Sequence, residues 1–392
     1  MTAPTISEAD QALIAKLRQL LEKELELVPE YSDDFSLMRW LIGWDRKINV
    51  IVPKLRFSLK AIHALGLDSE DLTTFDKIQD KCDSYSVPLQ SLPGSVVGMD
   101  KEGNVLSIQM VGRLDAVGLM QCARNSDLYK MRIAESEGVM QIIRAEEKKC
   151  GHPLGTSVIF DLEGISMSQF EMNAVKVVTT MLGQLQELFP DVVRKIFVIN
   201  APSFIQFIWT LVLPCLAKQT QQKIKVLGSD WKEVLRESLG EEVLFAHWGG
   251  TREADSEFGN VRLGGKVPQE LRYDPSADPP VESLEKHVVS ARSTSFIPIK
   301  LDNYQKGRKL TWWWKLDGHD VNFAVYRSSE GNEKVAEHVD DYMLEPKFRL
   351  QTEFVPEQGE VCAEEPGIYK FVFDNTHSTL RSKTIRYSIK TL

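Results

Sequence analysis

KIFVINAPSFIQFIWTLVLPCLAK, residues 195–218, holds 22 consecutive uncharged residues between its two terminal lysines. A hydrocarbon core about 30 Å thick calls for about 20 helical residues, so on length alone the run is a candidate membrane span. Pro202 removes that reading, because it biases Ala201 toward an extended backbone; residues 195–200 then form a strand that ends in a turn. What is left before Pro214, residues 203–213, makes a helix of about 16 Å at 1.5 Å per residue, too short to cross. Ser203 is placed to cap it. Phe204, Ile205, Phe207, Ile208, Leu211 and Val212 fall on one side, and the reverse, Gln206, Trp209, Thr210 and Leu213, is hardly polar. A short helix apolar on both sides is buried, meets a partner, or covers a greasy ligand. Periodicity alone favours burial.

Working outward, the strand at 195–200 is one of four: VLSIQMV (105–111), TSVIFDLE (156–163), KIFVIN and KIKVLG (223–228), with helical segments around 127–148, 168–188 and 203–213 between them. That alternation implies a largely parallel sheet with crossover helices. Upstream the period is helical. Ser7 and Asp10 make a capping pattern ahead of Leu13, Ile14, Leu17, Leu20, Leu21, Leu25 and Val28, and a second helix follows Ser32. A third runs over about 49–65, with Pro53 near its start and Gly66 past its end. Downstream, 249–281 is rich in Gly, Pro and charge and reads as a linker. LTWWWKLD, VNFAVYR, KFRLQTEF, GIYKFVFDN and TIRYSIK then follow as short alternating runs, a β-sandwich pattern. The expected architecture is multidomain: a small all-α N-terminal lobe over 1–90, an α/β lobe with a largely parallel sheet over 91–250, a linker over 251–284 and a C-terminal β-sandwich over 285–392.

Composition, 43% hydrophobic and 26% charged, is that of a folded water-soluble chain. The N-terminus lacks a basic region followed by an apolar block, so no secretory signal is expected and the cytoplasm is the expected compartment. Five isolated cysteines, Cys82, Cys122, Cys150, Cys215 and Cys362, read as reduced thiols. A net charge of -9 argues against nucleic acid as a partner. Acidic and basic residues balance from Glu285 onward, where Lys306, Arg308 and Lys309, and Arg381, Lys383, Arg386 and Lys390, form basic stretches that face solvent or anionic lipid. The tryptophans 312–314 alternate across a strand, so at least one faces away from its neighbours, and core packing is favoured over a surface patch.

Catalytic apparatus is not evident. Dinucleotide and P-loop glycine patterns and the G-x-S-x-G elbow are missing. Asp161 and Glu163 stand at a strand exit, where a carboxylate pair for acid/base work would be found. With nothing joining them in sequence, the reading is a loop cap and a solvated carboxylate. The seven histidines show no metal-ligand spacing and are assigned core or surface roles. The protein is not expected to be an enzyme.

VIFDLEGIS, LFPDVVRKIFVINAPSFIQFIWTLVLPCLAKQTQQKIKVLGSDWKEVL and HWGGT resemble, in order, the CRAL-TRIO lipid-binding domain of the yeast phosphatidylinositol-transfer protein family. LMRWLIGWDRKINV resembles the helical lobe that accompanies it, and EPGIYKFVFDNTHS resembles a GOLD domain. The pairing resembles the supernatant protein factor branch. The resemblance implies one lipid held in an apolar pocket, floored by the sheet and closed by a mobile gate helix, with no cofactor beyond that ligand. It implies Thr156, Val158, Phe160, Phe197 and Ile199 as floor residues, and Phe204, Phe207, Ile208, Leu211 and Val212 on the gate. Lys223 becomes a head-group contact, and Trp209 and Leu213 the bilayer contacts. Burial of an acyl or isoprenoid chain at about 0.8 kcal/mol per methylene suffices for tight holding. Where phosphoinositide-binding relatives carry an acidic partner this chain has Thr180, of a choline-phosphate hydroxyl pair it keeps only Thr156, and Ile42, Gly43 and Trp44 stand where relatives carry arginines. These departures leave phospholipid, tocopherol and isoprenoid-like ligands open. The implied function is binding and transfer or presentation of a lipid by a cytoplasmic protein that visits membranes transiently. The alternative is a lipid-sensing signalling or trafficking adaptor whose GOLD domain recruits a protein partner.

Overall fold

The computed structural model describes residues 6–301, 305–329 and 341–392; the first five residues of the N-terminal stretch and His338 lie outside them. Two units divide the chain, Met1–Leu119 with Met131–Gln269, and Met120–Lys130 with Glu270–Leu392.

In the first unit, α1 (Glu8–Leu20), α2 (Glu22–Leu27), α3 (Asp34–Gly43), α4 (Ile48–Ala64) and α5 (Phe75–Tyr85) form the helical lobe. Ser7 caps α1, its hydroxyl accepting from the Asp10 backbone N–H at 3.1 Å, and Asp33 caps α3 through Ser36. Leu17 and Leu21 are buried as their helical spacing leads one to expect, and Leu37, Leu41, Leu55 and Leu59 are buried with them. Among these apolar side chains Arg39 donates to Glu147 and to the Leu154 carbonyl, both partners being buried.

The sheet of this unit contains β1 (Ser95–Met99), β2 (Val105–Gln109), β3 (Thr156–Asp161), β4 (Val193–Ile199) and β5 (Ile224–Val226) in that order. β1 pairs antiparallel to β2 and the other pairings are parallel. Its helices are α6 (Ala116–Met120), α7 (Asn125–Cys150) from Met131 onward, α8 (Met172–Leu188), α9 (Ile205–Val212), α10 (Lys218–Gln221) and α11 (Trp231–Leu239). β5 is shorter than the expected 223–228 because it is an edge strand, and its Lys225 and Val226 are exposed. The first part of the segment read as linker packs on this unit: Val261 is buried, and the Ser95 hydroxyl accepts from the Arg262 backbone N–H.

The second unit is an antiparallel sandwich of β6 (Glu285–Val289), β7 (Thr294–Lys300), β8 (Arg308–Leu316), β9 (Asp320–Ser328), β10 (Tyr342–Gln351), β11 (Glu357–Ala363), β12 (Ile368–Asp374) and β13 (Lys383–Thr391). The two sheets run β10-β9-β12-β7 and β11-β8-β13-β6. Trp312 and Trp314 project between them onto Phe323, Phe371 and Phe373, with ring centroids 5.2–5.9 Å apart. Trp313 points the other way and is buried as well, so the aromatic triplet is core. Lys309 pairs with Glu360 and Arg386 with Asp317, and Lys383 is buried.

Residues 120–130, expected in the α/β lobe, belong to this second unit. Tyr129 stacks on Phe348 at 5.0 Å, and the backbone N–H and hydroxyl of Ser126 both donate to Glu357. Glu357 therefore caps the first turn of α7 from another element. Burial pushes its carboxyl up to about 7; Asp127 adds to that, and the Ser126 bonds and Arg124 oppose it. The folded state then holds a proton that the unfolded chain releases near pH 4.5. This stabilisation is fully present below about pH 4.5 and is lost as pH rises through about 7, by about 3 kcal/mol at most. In urea titrations, Glu357→Gln is expected to gain on wild type at pH 7.5 and not at pH 4.

Candidate functional site

The two faces of the first unit's sheet are packed differently. On one, Leu106, Ile108, Ile159, Phe197 and Ile199 join α11 and Trp248 in a cluster of thirteen buried residues with five partly buried neighbours. On the other, the apolar cluster has four buried members, Leu162, Ile196, Val198 and Ile208, and ten apolar neighbours that are partly exposed, among the described residues. This second face lies under α9. Apolar surface left half open against a sheet leaves apolar area for a ligand to cover.

Strand register decides which residues share that face. Val158 pairs with Ile196 and Phe160 with Val198, whereas Ile159 pairs with Phe197 and Asp161 with Ile199. Thr156, Val158 and Phe160 therefore stand on the α9 side with Ile196 and Val198. Phe197 and Ile199, expected on the pocket floor, are corrected to the opposite core, since a period of two puts neighbours on opposite faces. Phe204 just ahead of α9, and Ile205, Ile208, Trp209 and Val212 within it, pack toward the sheet. Phe207 is 37% exposed, with its ring edge-on to Phe170 at 5.5 Å. Trp209, expected to face outward, packs inward beside Ile208, because at 100° per residue it shares a side with Ile205 and Val212. Leu211 and Leu213 are half-buried, and the Leu213 carbonyl accepts from Gln221. The helix begins at Ile205 rather than at a Ser203 cap, and its first turn has no side-chain cap.

The expected head-group contact is already engaged. Lys223 donates to Asp191 at 3.1 Å and to the Val193 carbonyl at 2.7 Å. Arg39 is held by Glu147, Arg46 by Asp10, and Lys54 lies over the Trp44 ring at 4.4 Å. On the α11 face, at the exit of β3, the fold assembles a group that sequence spacing hides. His247 Nε2 lies 3.5 Å from Asp161 Oδ2 and 3.8 Å from Glu163 Oε2. Burial pushes the Asp161 carboxyl up, and the His247 ring, the Asn200 amide and the Glu163 backbone N–H outweigh it, leaving the group below its usual range. The one signal in the sequence is Asp161 and Glu163 at a strand end; nothing in spacing announces a histidine so far along the chain.

Residues 89–250 match the family model described as CRAL/TRIO domain. Over those residues the chain is similar to that family. Over its length it is similar to Protein ctg-1 of Caenorhabditis elegans, 23% identical over 382 residues that cover 95% of this chain and 96% of the relative. It is also similar to CRAL-TRIO domain-containing protein F28H7.8 of the same species, 23% identical over 396 residues, 97% of this chain and 90% of the relative. Protein real-time of Drosophila melanogaster is 25% identical over 361 residues, 83% of this chain and 52% of the relative. The crystal structure of Sfh5 gives a TM-score of 0.49 at 14% identity, covering 68% of this chain and 96% of that one. The matched residues run from ahead of β1 to just past Trp248 and so include α9, both sheet faces and the Asp161–His247 group. No helix among the described residues is long and apolar enough to cross a membrane.

Proposed function

We propose that the CRAL-TRIO domain binds one lipid on the half-open apolar face beneath α9, and that α9 is the gate through which the lipid is exchanged at a membrane surface. The observation that carries this reading is the packing contrast between the two faces of one sheet. A helix of eight residues, uncapped and fully burying only Ile208, also belongs to the low-stability end of a structure, where gating elements are found. Lys223, the implied head-group contact, is already held by Asp191 and the Val193 carbonyl, which favours a ligand with an uncharged head, tocopherol-like or isoprenoid-like, over an anionic phospholipid. The protein is read as cytoplasmic and peripheral at membranes. The sandwich, whose sequence resembles a GOLD domain, is assigned to partner recruitment.

Mass spectrometry of organic extracts of the purified chain is expected to find stoichiometric lipid, and vesicle assays to find transfer. No lipid and no transfer would overturn the reading. Phe207, the exposed ring of the gate, replaces Trp209 as the proposed bilayer contact. Phe207→Ala is expected to slow transfer severalfold while bound lipid stays stoichiometric, and an unchanged rate would remove that role.

A further inference from the structure

The cluster on the opposite face of the sheet has no part in the lipid reading and does not rest on it. Asp161 closes β3, Glu163 follows it into the turn at Gly164, and His247 lies in the short helical turn Ala246–Trp248. One ligand atom from each lies within 4.8 Å of the others. At 3.5 and 3.8 Å the contacts of His247 Nε2 are too long for hydrogen bonds. They are close to the separation of about 3.3–3.6 Å that two donors take on one tetrahedral ion at about 2.0–2.2 Å.

Asp161 distinguishes this group from an ordinary acidic surface. Its side chain is 1% exposed. Oδ1 accepts from Asn200 Nδ2 at 2.8 Å and from the Glu163 backbone N–H at 3.0 Å. Oδ2 is enclosed and, among the described residues, receives no hydrogen bond; the enclosed Nε2 of His247 has none either. A buried carboxylate oxygen without a donor is costly, and here it is turned toward an imidazole nitrogen in the same condition. The ring itself is fixed. The His247 backbone N–H donates to the Glu257 carbonyl at 2.9 Å, the ring lies 4.4 Å from Phe258, and Nδ1 faces Glu257 Oε2 at 3.9 Å. A carboxylate on the Nδ1 side favours the tautomer that leaves the Nε2 lone pair free for a metal.

We propose that Asp161, Glu163 and His247 form a binding site for a divalent transition-metal ion of the zinc type, with Asn200 as the positioning residue that holds Asp161. One imidazole and two carboxylates supply three tetrahedral positions, and water takes the fourth. A bound ion ties the exit of β3 to the 246–248 turn.

The test uses the full chain without an affinity tag, stripped with chelator and titrated with zinc chloride in a calorimeter, then with Co(II) followed by absorption. One saturable equivalent is expected, with Co(II) bands of tetrahedral N/O coordination and no thiolate charge-transfer band. Asp161→Asn, His247→Gln and Glu163→Gln are each expected to weaken binding by about tenfold or more. Glu163 is exposed, so Glu163→Gln remains informative even where the buried Asp161 variant fails to fold. The proposal is overturned by a wild-type chain that shows no saturable binding, by unchanged affinity in Glu163→Gln, or by a thiolate band that places the metal on cysteine.

Discussion

Ile208→Asp is expected to strip the protein of its lipid while leaving it folded. Ile208 is the buried anchor of α9 and packs with Ile196, Val198 and Leu162 on the sheet. Losing its burial costs about 2–3 kcal/mol, and a carboxylate there must either drag the helix toward water or stay unpaired against hydrocarbon. At 1.4 kcal/mol per tenfold, retention of a ligand that depends on the closed helix falls by about 30- to 140-fold. The core on the other face is untouched, because the sheet separates the two clusters. Circular dichroism should therefore change little, and Ile208→Leu should keep its lipid. Stoichiometric lipid in extracts of the folded Asp variant would contradict the gate assignment.

Arg39→Ala is expected to lower stability by about 3–5 kcal/mol, because it leaves Glu147 buried without its cation. Both side chains are nearly inaccessible, at 3% and 2% exposure, and Glu147 also accepts from the Leu154 backbone N–H at 2.7 Å. Removing both charges with methionines should restore much of the loss, since desolvation of the pair consumes most of its attraction. Urea titration of the two single variants and the double variant measures this coupling. Equal losses in Arg39→Ala and the double variant would show that the ion pair is not the source. The result also bears on function: an arginine committed to Glu147 is not free to meet a lipid head group.

Three features of the candidate site are legible in the chain's own residues. Pro202 and Pro214 bound the helix, and the absence of charge from 196 to 217 marks it as a segment that does not face water on all sides. The alternation of β-rich and helical runs announces a largely parallel sheet, which the order β2-β3-β4-β5 shows. Orientation is not legible in the same way. Phe197 and Ile199 are as apolar as Ile196 and Val198, so composition alone does not say which pair faces α9; pairing with Phe160 does. Trp209 is ambiguous for the same reason, because a helix apolar on both sides carries no polar stripe to show which side is out.

What the sequence by itself determined is the set of elements: a helical lobe, an α/β lobe containing a short uncharged helix, and a C-terminal run of strands. Period, proline and charge are local properties, and they act before any distant contact forms. Only the tertiary structure decided how those elements share residues. It turned Phe207 outward and Trp209 inward, assigned the first residues of α7 to the sandwich through Glu357, and carried His247 to the end of β3 beside Asp161. Each of those pairings joins residues far apart along the chain, and such contacts are set by register and packing rather than by any pattern a single segment contains.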